Sequence, residues 1–351
     1  MKRGLVVLDH AEIPAEEWGG RVRVLQERIA AEGVDIAFVY GDVHRSDDIG
    51  YLTNLCIYWN EGVLAVPAEG EPVFLTKLSP RVHRWMRRTS MVSELRSGRA
   101  FGPLAQELLQ DREPGVLGLV DARRWPQVVV DELGAALPGW ELRLLGDLVR
   151  DQRVRPSDAE LALLRDGGRA VARAAEKASE PGPATASRVA LVESELRGAG
   201  FADVFVNTAA ADDGVVSIEI TGQYRHGWLR AARIVEGTGR TGWVSVMHAA
   251  LAAAIDAASA GASAAEVAAA AEPLLADMPQ GATCYVDWIN QADLSTNGEY
   301  ERHARHTPLP AGTVGAVCVE TLFAAGGRAV VAETVLVGAG GARRLTDGTA
   351  P

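Results

Sequence analysis

The chain has few cysteines, no long apolar run and no excess of basic charge, and each shortage removes a class of protein. Its three cysteines, Cys56, Cys284 and Cys318, are far apart and lack CxxC spacing. They suit neither a disulfide framework nor a thiolate metal site, and each sits among apolar neighbours as a small core residue does. No stretch of about 20 apolar residues runs without polar or charged interruption, so a membrane-spanning helix is not expected. Lys2 and Arg3 precede only the short apolar run Leu5-Val6-Val7-Leu8, too brief for a signal-peptide core, and the expected location is cytoplasmic. Lys and Arg total 35 against 46 Asp and Glu, for a net charge of -11. Non-specific nucleic-acid binding needs a basic surface that releases counterions, and this balance argues against it.

What is present is ample core material. At 351 residues and 48% hydrophobic content the chain can build two domains or one large one. Val22, Leu25 and Ile29 recur at helical spacing and predict a helix over Trp18–Ala31, ended by Gly33. Short apolar runs predict strands at Asp35–Tyr40, Gly62–Pro67, Pro72–Leu75, Val116–Val120 and Trp140–Leu145. Ala68-Glu69-Gly70-Glu71 is a turn signal, and Trp125–Ala136 reads as a helix. Strands alternating with helices predict an α/β domain over residues 1–150. Ser157 with Glu160 makes a capping box for a long helix to about Ser179, stopped by Pro181-Gly182-Pro183. A second helix is expected over Ala184–Ala199, then three Ala-rich helices and several strands, giving an α+β domain over residues 151–351.

Several segments carry a resemblance to a known family when taken in order. They are Arg21–Gly33, Asp35–Tyr40, Ile49–Asn54, Gly70–Val73, the junction Val154–Arg165, and the closing runs Gly312–Glu320, Ala332–Val337 and Arg344–Thr346. Together they resemble the creatinase, prolidase and aminopeptidase P family across nearly the whole chain. The resemblance implies a creatinase-like N-terminal domain followed by a pita-bread catalytic-type domain. It also implies a homodimer, with the Asp42–Asn54 segment bordering the partner's active site.

The family's metallopeptidases hold two metals with two Asp, one His and two Glu, and most of those positions differ here. Glu219 occupies the place of the first aspartate and Arg230 that of the second; a guanidinium is never a ligand at accessible pH. Between Gly281 and Pro308 the family's Gly-His-Gly turn is missing. His303 and His306 admit a metal reading, but they flank Arg302 and Arg305 and read more simply as a solvated loop. No histidine lies near Thr208–Asp213, where many members carry their acid–base group. Glu333 matches the last ligand glutamate, whereas Cys318 stands in the penultimate slot with Glu320 two positions on. Creatinase shows that this fold can break a C–N bond without metal, but its catalytic His and a neighbouring glutamate are missing here too.

The combined expectation is a metal-independent, cofactor-free hydrolase or lyase acting at a C–N bond of a small polar molecule. Glu333 and Glu320 are its expected acid–base groups and Glu219 a supporting carboxylate, the three converging closely enough to couple. Arg230 or Arg233 would clamp a substrate carboxylate. Tyr224, His226, Trp228, Asp287, Trp288 and Asn290 are the further candidate pocket residues. His226 and Glu333 also have bland readings, as a solvated turn residue and as the ion-pair partner of an arginine. Two other readings stand beside the enzyme: a catalytically inactive binding or scaffold protein, and a true Xaa-Pro metallopeptidase with unusual ligands.

Overall fold

Short apolar runs separated by amphipathic helices build the first part of the chain. The order is α1 (Ala15–Ala31), β1 (Ile36–Asp42), α2 (Asp47–Thr53), β2 (Glu61–Pro67), β3 (Val73–Thr76), α3 (His83–Thr89) and β4 (Glu94–Ser97). Then come α4 (Phe101–Leu109), β5 (Val116–Val120), α5 (Gln127–Ala136), β6 (Glu141–Leu144) and α6 (Leu148–Arg153). The structure is a computed structural model that describes residues 8–57, 60–180, 184–211, 214–236, 242–294 and 306–348. The chain folds as two compact units that meet in sequence between Arg153 and Val154.

In the N-terminal unit a six-stranded sheet runs β4-β3-β2-β1-β5-β6. β1 pairs antiparallel with β2 and parallel with β5, so the sheet is mixed. Alternation along β1 explains why its run is apolar throughout. Ala37 and Val39 pack with Leu25 and Ile29 on one face, while Ile36 and Phe38 pack with Phe101, Leu104 and Leu133 on the other. Arg21 is buried in α1 without being stranded. It pairs with Glu17, donates to the Tyr51 carbonyl at 2.8 Å and stacks over the Trp18 and Tyr51 rings. The segment 83–109 supplies α3, β4 and α4, elements that hydrophobic periodicity does not announce.

The second unit continues with α7 (Asp158–Ser179), α8 (Thr185–Gly198), β7 (Phe201–Ala210), β8 (Val216–Tyr224), β9 (Gly227–Glu236), α9 (Trp243–Ala257) and α10 (Ala264–Leu275). It closes with β10 (Thr283–Asn290), β11 (Val314–Leu322), β12 (Arg328–Gly338) and β13 (Gly341–Arg344). The expected capping box is formed: Ser157 Oγ accepts from the Glu160 N–H, and the Glu160 carboxylate accepts from the Ser157 N–H. The antiparallel sheet runs β10-β11-β12-β9-β8-β7, with β13 added to β12. Helices α9 and α10 cover Val317, Val319, Val331 and Val335, and α7 and α8 cover Ile218, Ile220, Leu229 and Ala231. One face of the sheet therefore belongs to the helices, which leaves the other to polar side chains. Instead of three Ala-rich helices after residue 200, the described residues hold two, α9 and α10. Ala329 and Ala332 sit in β12, where alternating burial and not alanine content decides the element.

Two glycines in helices contrast. A Cβ on Gly168 of α7 would stand 2.0 Å from the Leu345 carbonyl oxygen, so this helix needs glycine to approach the chain beside β13. A Cβ on Gly19 of α1 would meet nothing closer than Arg23 Nη1 at 3.7 Å, and its φ is ordinary. Gly168→Ala is therefore expected to destabilise the protein by about 1–3 kcal/mol through overpacking. Gly19→Ala is expected to stabilise it by roughly 0.5–1 kcal/mol through helix propensity. Thermal unfolding of both variants checks the pair; equal shifts of the same sign would contradict the packing difference.

Candidate active site

Side chains on a strand alternate between faces, so register decides which of the candidate residues meet. One cross-strand row passes through Asn207, Glu219, Ala232, Ala332, Cys318 and Asp287, one residue from each of six strands. This row lies on the face away from the four helices. Glu219 is buried on it, as are Arg230 and Trp228 from β9. Ala232 and Ala332, both small, leave room in the middle, and Trp228 packs there with Ile289, Leu294, Cys318 and Val330.

The polar centre is an ion-pair network. Glu219 Oε2 accepts from Arg230 Nη2 at 2.9 Å and from Arg328 Nη2 at 3.1 Å, and Glu219 Oε1 accepts from Arg328 Nη1. Arg328 Nε donates in turn to Glu320 Oε1. Arg230 also donates from Nε to Cys318 Sγ at 3.2 Å and from Nη1 to Thr221 Oγ1 at 3.3 Å. Burial by itself would lower the Arg328 pKa, but the bonds to Glu219 and Glu320 outweigh it and hold it above its ordinary value. Burial likewise pushes the Cys318 thiol up, against the opposing charge of Arg230, so the thiolate a nucleophile needs is disfavoured.

Glu333 is elsewhere. Glu320 stands opposite Val330 and Glu333 opposite Val317, three positions away in register. An odd offset puts the two glutamates on opposite faces of the sheet. The expected convergence of Glu219, Glu320 and Glu333 is thus replaced by a pair on one face and a single residue on the other. On the helix side Glu333 Oε1 lies 2.7 Å from Arg233 Nη2, and Oε2 accepts from Thr346 Oγ1. Arg233 further donates to the Ala332, Ala232 and Thr346 carbonyls. His248 on α9 borders this group. Although it is exposed at its rim, desolvation and then Arg233 and Arg344 push its pKa below the usual value, with Glu333 acting against them.

The other candidates sort by the same parity. Asp287 lies in the row with Glu219. Trp288 packs among the helix-side residues, and its Nε1 donates to Asn290 Oδ1 at 2.8 Å. Tyr224 is also on the helix side, tilted against Phe201 with ring centroids 5.1 Å apart. His226 sits half-buried in the turn between β8 and β9. His306 is exposed, and His303 lies outside the described residues. The sequence reading missed Arg328. Its signal was the Gly326-Gly327 turn, which pairs Leu322 with Arg328 and makes Glu320 the diagonal neighbour of that arginine.

The X-Pro aminopeptidase of Thermotoga maritima superposes on the chain with a TM-score of 0.77 at 16% identity, covering 94% of this chain and 98% of its own. The chain has the pita-bread fold of the Xaa-Pro peptidases. The dipeptidase PepE of Mycobacterium ulcerans gives a TM-score of 0.73 at 20% identity with 97% of both chains covered. The Pyrococcus horikoshii prolidase gives 0.73 at 16%, covering 93% and 98%. No protein-family model and no curated protein sequence matches the chain. The shared architecture spans both units, so a pita-bread domain preceded by an α/β domain is the layout of this protein too.

The described residues on this polar face do not fit a divalent metal pair. Among the described residues no group of three or more His, Cys, Asp or Glu is placed to hold an ion. Both oxygens of Glu219 already accept from guanidinium groups, and an ion there would face the permanent charges of Arg230 and Arg328.

Two outcomes follow from these bonds. Arg328→Met removes one partner from two glutamates; because Arg328 is 30% exposed and Glu219 keeps Arg230, the expected cost is about 1–3 kcal/mol. Urea unfolding measures it, and a change below about 0.5 kcal/mol, the range of an ordinary surface substitution, would contradict the network. For His248, a folded-state pKa below the unfolded one means that the unfolded chain binds more protons between the two values. Stability is then full above the ordinary histidine pKa and falls as the pH drops below it. His248→Gln should flatten that part of the stability–pH curve; an unchanged curve contradicts the assignment.

Proposed function

We propose that this chain is a metal-independent enzyme of the Xaa-Pro peptidase fold that cleaves a C–N bond in a small polar molecule. Glu320 is its acid–base group, Arg230 and Arg328 supply positive charge, and Glu219 positions both arginines. The observation that carries the proposal is the state of Glu320. Its Oε1 is held by Arg328, whereas Oε2 has no partner among the described residues, and its side chain keeps 20% of its exposure. Glu219 and Glu333 each have both oxygens engaged by protein groups.

For a hydrolysis the step balances simply. Glu320 takes a proton from water as its oxygen attacks the carbon, and the guanidinium charge stabilises the oxyanion that forms. The C–N bond then breaks, and protonated Glu320 returns the proton to the departing nitrogen. In this proposal Glu333 is a structural residue that ties β12 to β9 and to Thr346. A homodimer in the cytoplasm completes the reading, and light scattering at about twice 37.2 kDa supports the dimer.

A second reading has its own support. Because Glu219 and Glu333 are fully engaged, neither stands free beside Glu320 as a second acid–base group. That favours a binding protein that recognises a small polar molecule without turning it over.

One experiment separates the two readings. Wild type, Glu320→Gln and Glu333→Gln are assayed in excess chelator against a panel of N-acyl amino acids, amidines and Xaa-Pro dipeptides. The enzyme reading expects chelator-resistant turnover that falls roughly 100-fold or more in Glu320→Gln, the usual worth of a general acid–base group. It expects Glu333→Gln to lose melting temperature first and activity per folded molecule little. Saturable binding without turnover supports the second reading, and turnover abolished by chelator overturns both.

A further inference from the structure

A cavity of about 530 Å³ opens in the N-terminal unit between α1, the turn joining β2 to β3, and the residues ahead of β4. Its size falls within the range of roughly 300–1,000 Å³ typical of small-molecule sites. The lining mixes apolar side chains with the polar Thr53 and Ser93 and carries charge at two points. Trp18, Val22, Leu52, Met91 and Val92 supply the apolar surface; Trp18 is only 2% exposed whereas Met91 is 42% exposed. Arg23 comes from α1 and Glu71 from the turn. Among the described residues neither has a hydrogen-bond or ion-pair partner.

Two further features shape this space. Gln26 Nε2 donates to the Pro67 carbonyl at 2.9 Å and the Gly70 carbonyl at 2.8 Å, which braces α1 against the turn. Its Oε1 has no partner among the described residues. Gly19 lines the cavity in mid-helix, where neither packing nor backbone conformation asks for glycine. The lack of a side chain there sets the wall back and keeps the cavity wide, at the expense of helix propensity.

We propose that this cavity is a binding site for a short apolar peptide with free termini. A lining with apolar side chains, one unpaired cation and one unpaired anion is complementary to a zwitterion with apolar side chains. Arg23 takes the carboxylate in its guanidinium fork, and Glu71 with Gln26 Oε1 takes the ammonium. Trp18, Val22 and Met91 receive the side chains, methionine being adaptable to their shape. The site is built wholly from the N-terminal unit and stands whether or not the pita-bread sheet is catalytic.

Isothermal titration of the full chain with Leu-Leu tests it, with Leu-Leu amide and N-acetyl-Leu-Leu as probes lacking one charge each. Saturable binding of Leu-Leu is expected, weakened about tenfold or more by loss of either charge, as for a charged hydrogen bond. Arg23→Ala should weaken Leu-Leu but leave the amide unchanged, and Glu71→Gln should do the same toward the N-acetyl peptide. Gly19→Leu fills the cavity, so it should abolish binding without lowering the melting temperature. No saturable binding at millimolar peptide overturns the proposal. So does undiminished binding in folded Gly19→Leu, which places the peptide elsewhere; if that variant does not fold, unchanged selectivity in the two charge variants overturns it equally.

Discussion

Glu219 held between two guanidinium groups is the interaction on which the centre of the second unit depends. A buried carboxylate is costly unless paired and hydrogen-bonded, and here Arg230 and Arg328 meet both oxygens. The pair links side chains of β8, β9 and β12, and Arg328 extends it to Glu320 on β11. Four strands of one sheet are joined through one charge network. The same arrangement supports the proposal of a metal-independent centre, because positive charge already stands beside Glu219 and Glu320.

The network is placed by strand parity. On one face, valines and isoleucines meet α7, α8, α9 and α10 and form the core. On the other, Glu219, Arg230, Arg328, Glu320 and Asp287 gather around Ala232 and Ala332. Glu333 falls on the helix side because its register against Glu320 is odd. Its pairing with Arg233 and Thr346 therefore belongs to the packing of the closing strands, and the polar face is left to Glu219 and Glu320.

Much of the fold was legible because local chemistry and tertiary packing agree. Ser157 and Glu160 announced α7, the runs around Phe38 and Leu64 announced central strands, and the order of weak motifs pointed to the pita-bread architecture. Residues 83–109 were not legible, since α3 and α4 are short and draw their stability from the sheet they cover. At the site, Glu219 and Arg230 were picked out by the family resemblance, and the tight hairpin between Tyr224 and Gly227 sets the register that puts both on one face. Glu333, Trp288 and Asn290 were expected on the wrong side of their strands. A one-residue change in register exchanges faces, and turn length, which sets register, is not readable from residue types alone. Arg328 escaped notice for a similar reason: its partners are distant in sequence and meet it only once β11 and β12 pair.

The central proposal is that the guanidinium groups of Arg230 and Arg328, which hold Glu219, leave no place beside it for a metal ion. Elemental analysis of protein purified without chelator, after incubation with Mn, Co and Zn salts and gel filtration, tests it most directly. Because a tight site retains its ion through gel filtration, the account predicts far less than one transition-metal ion per chain. One or more tightly held ions per chain would contradict it.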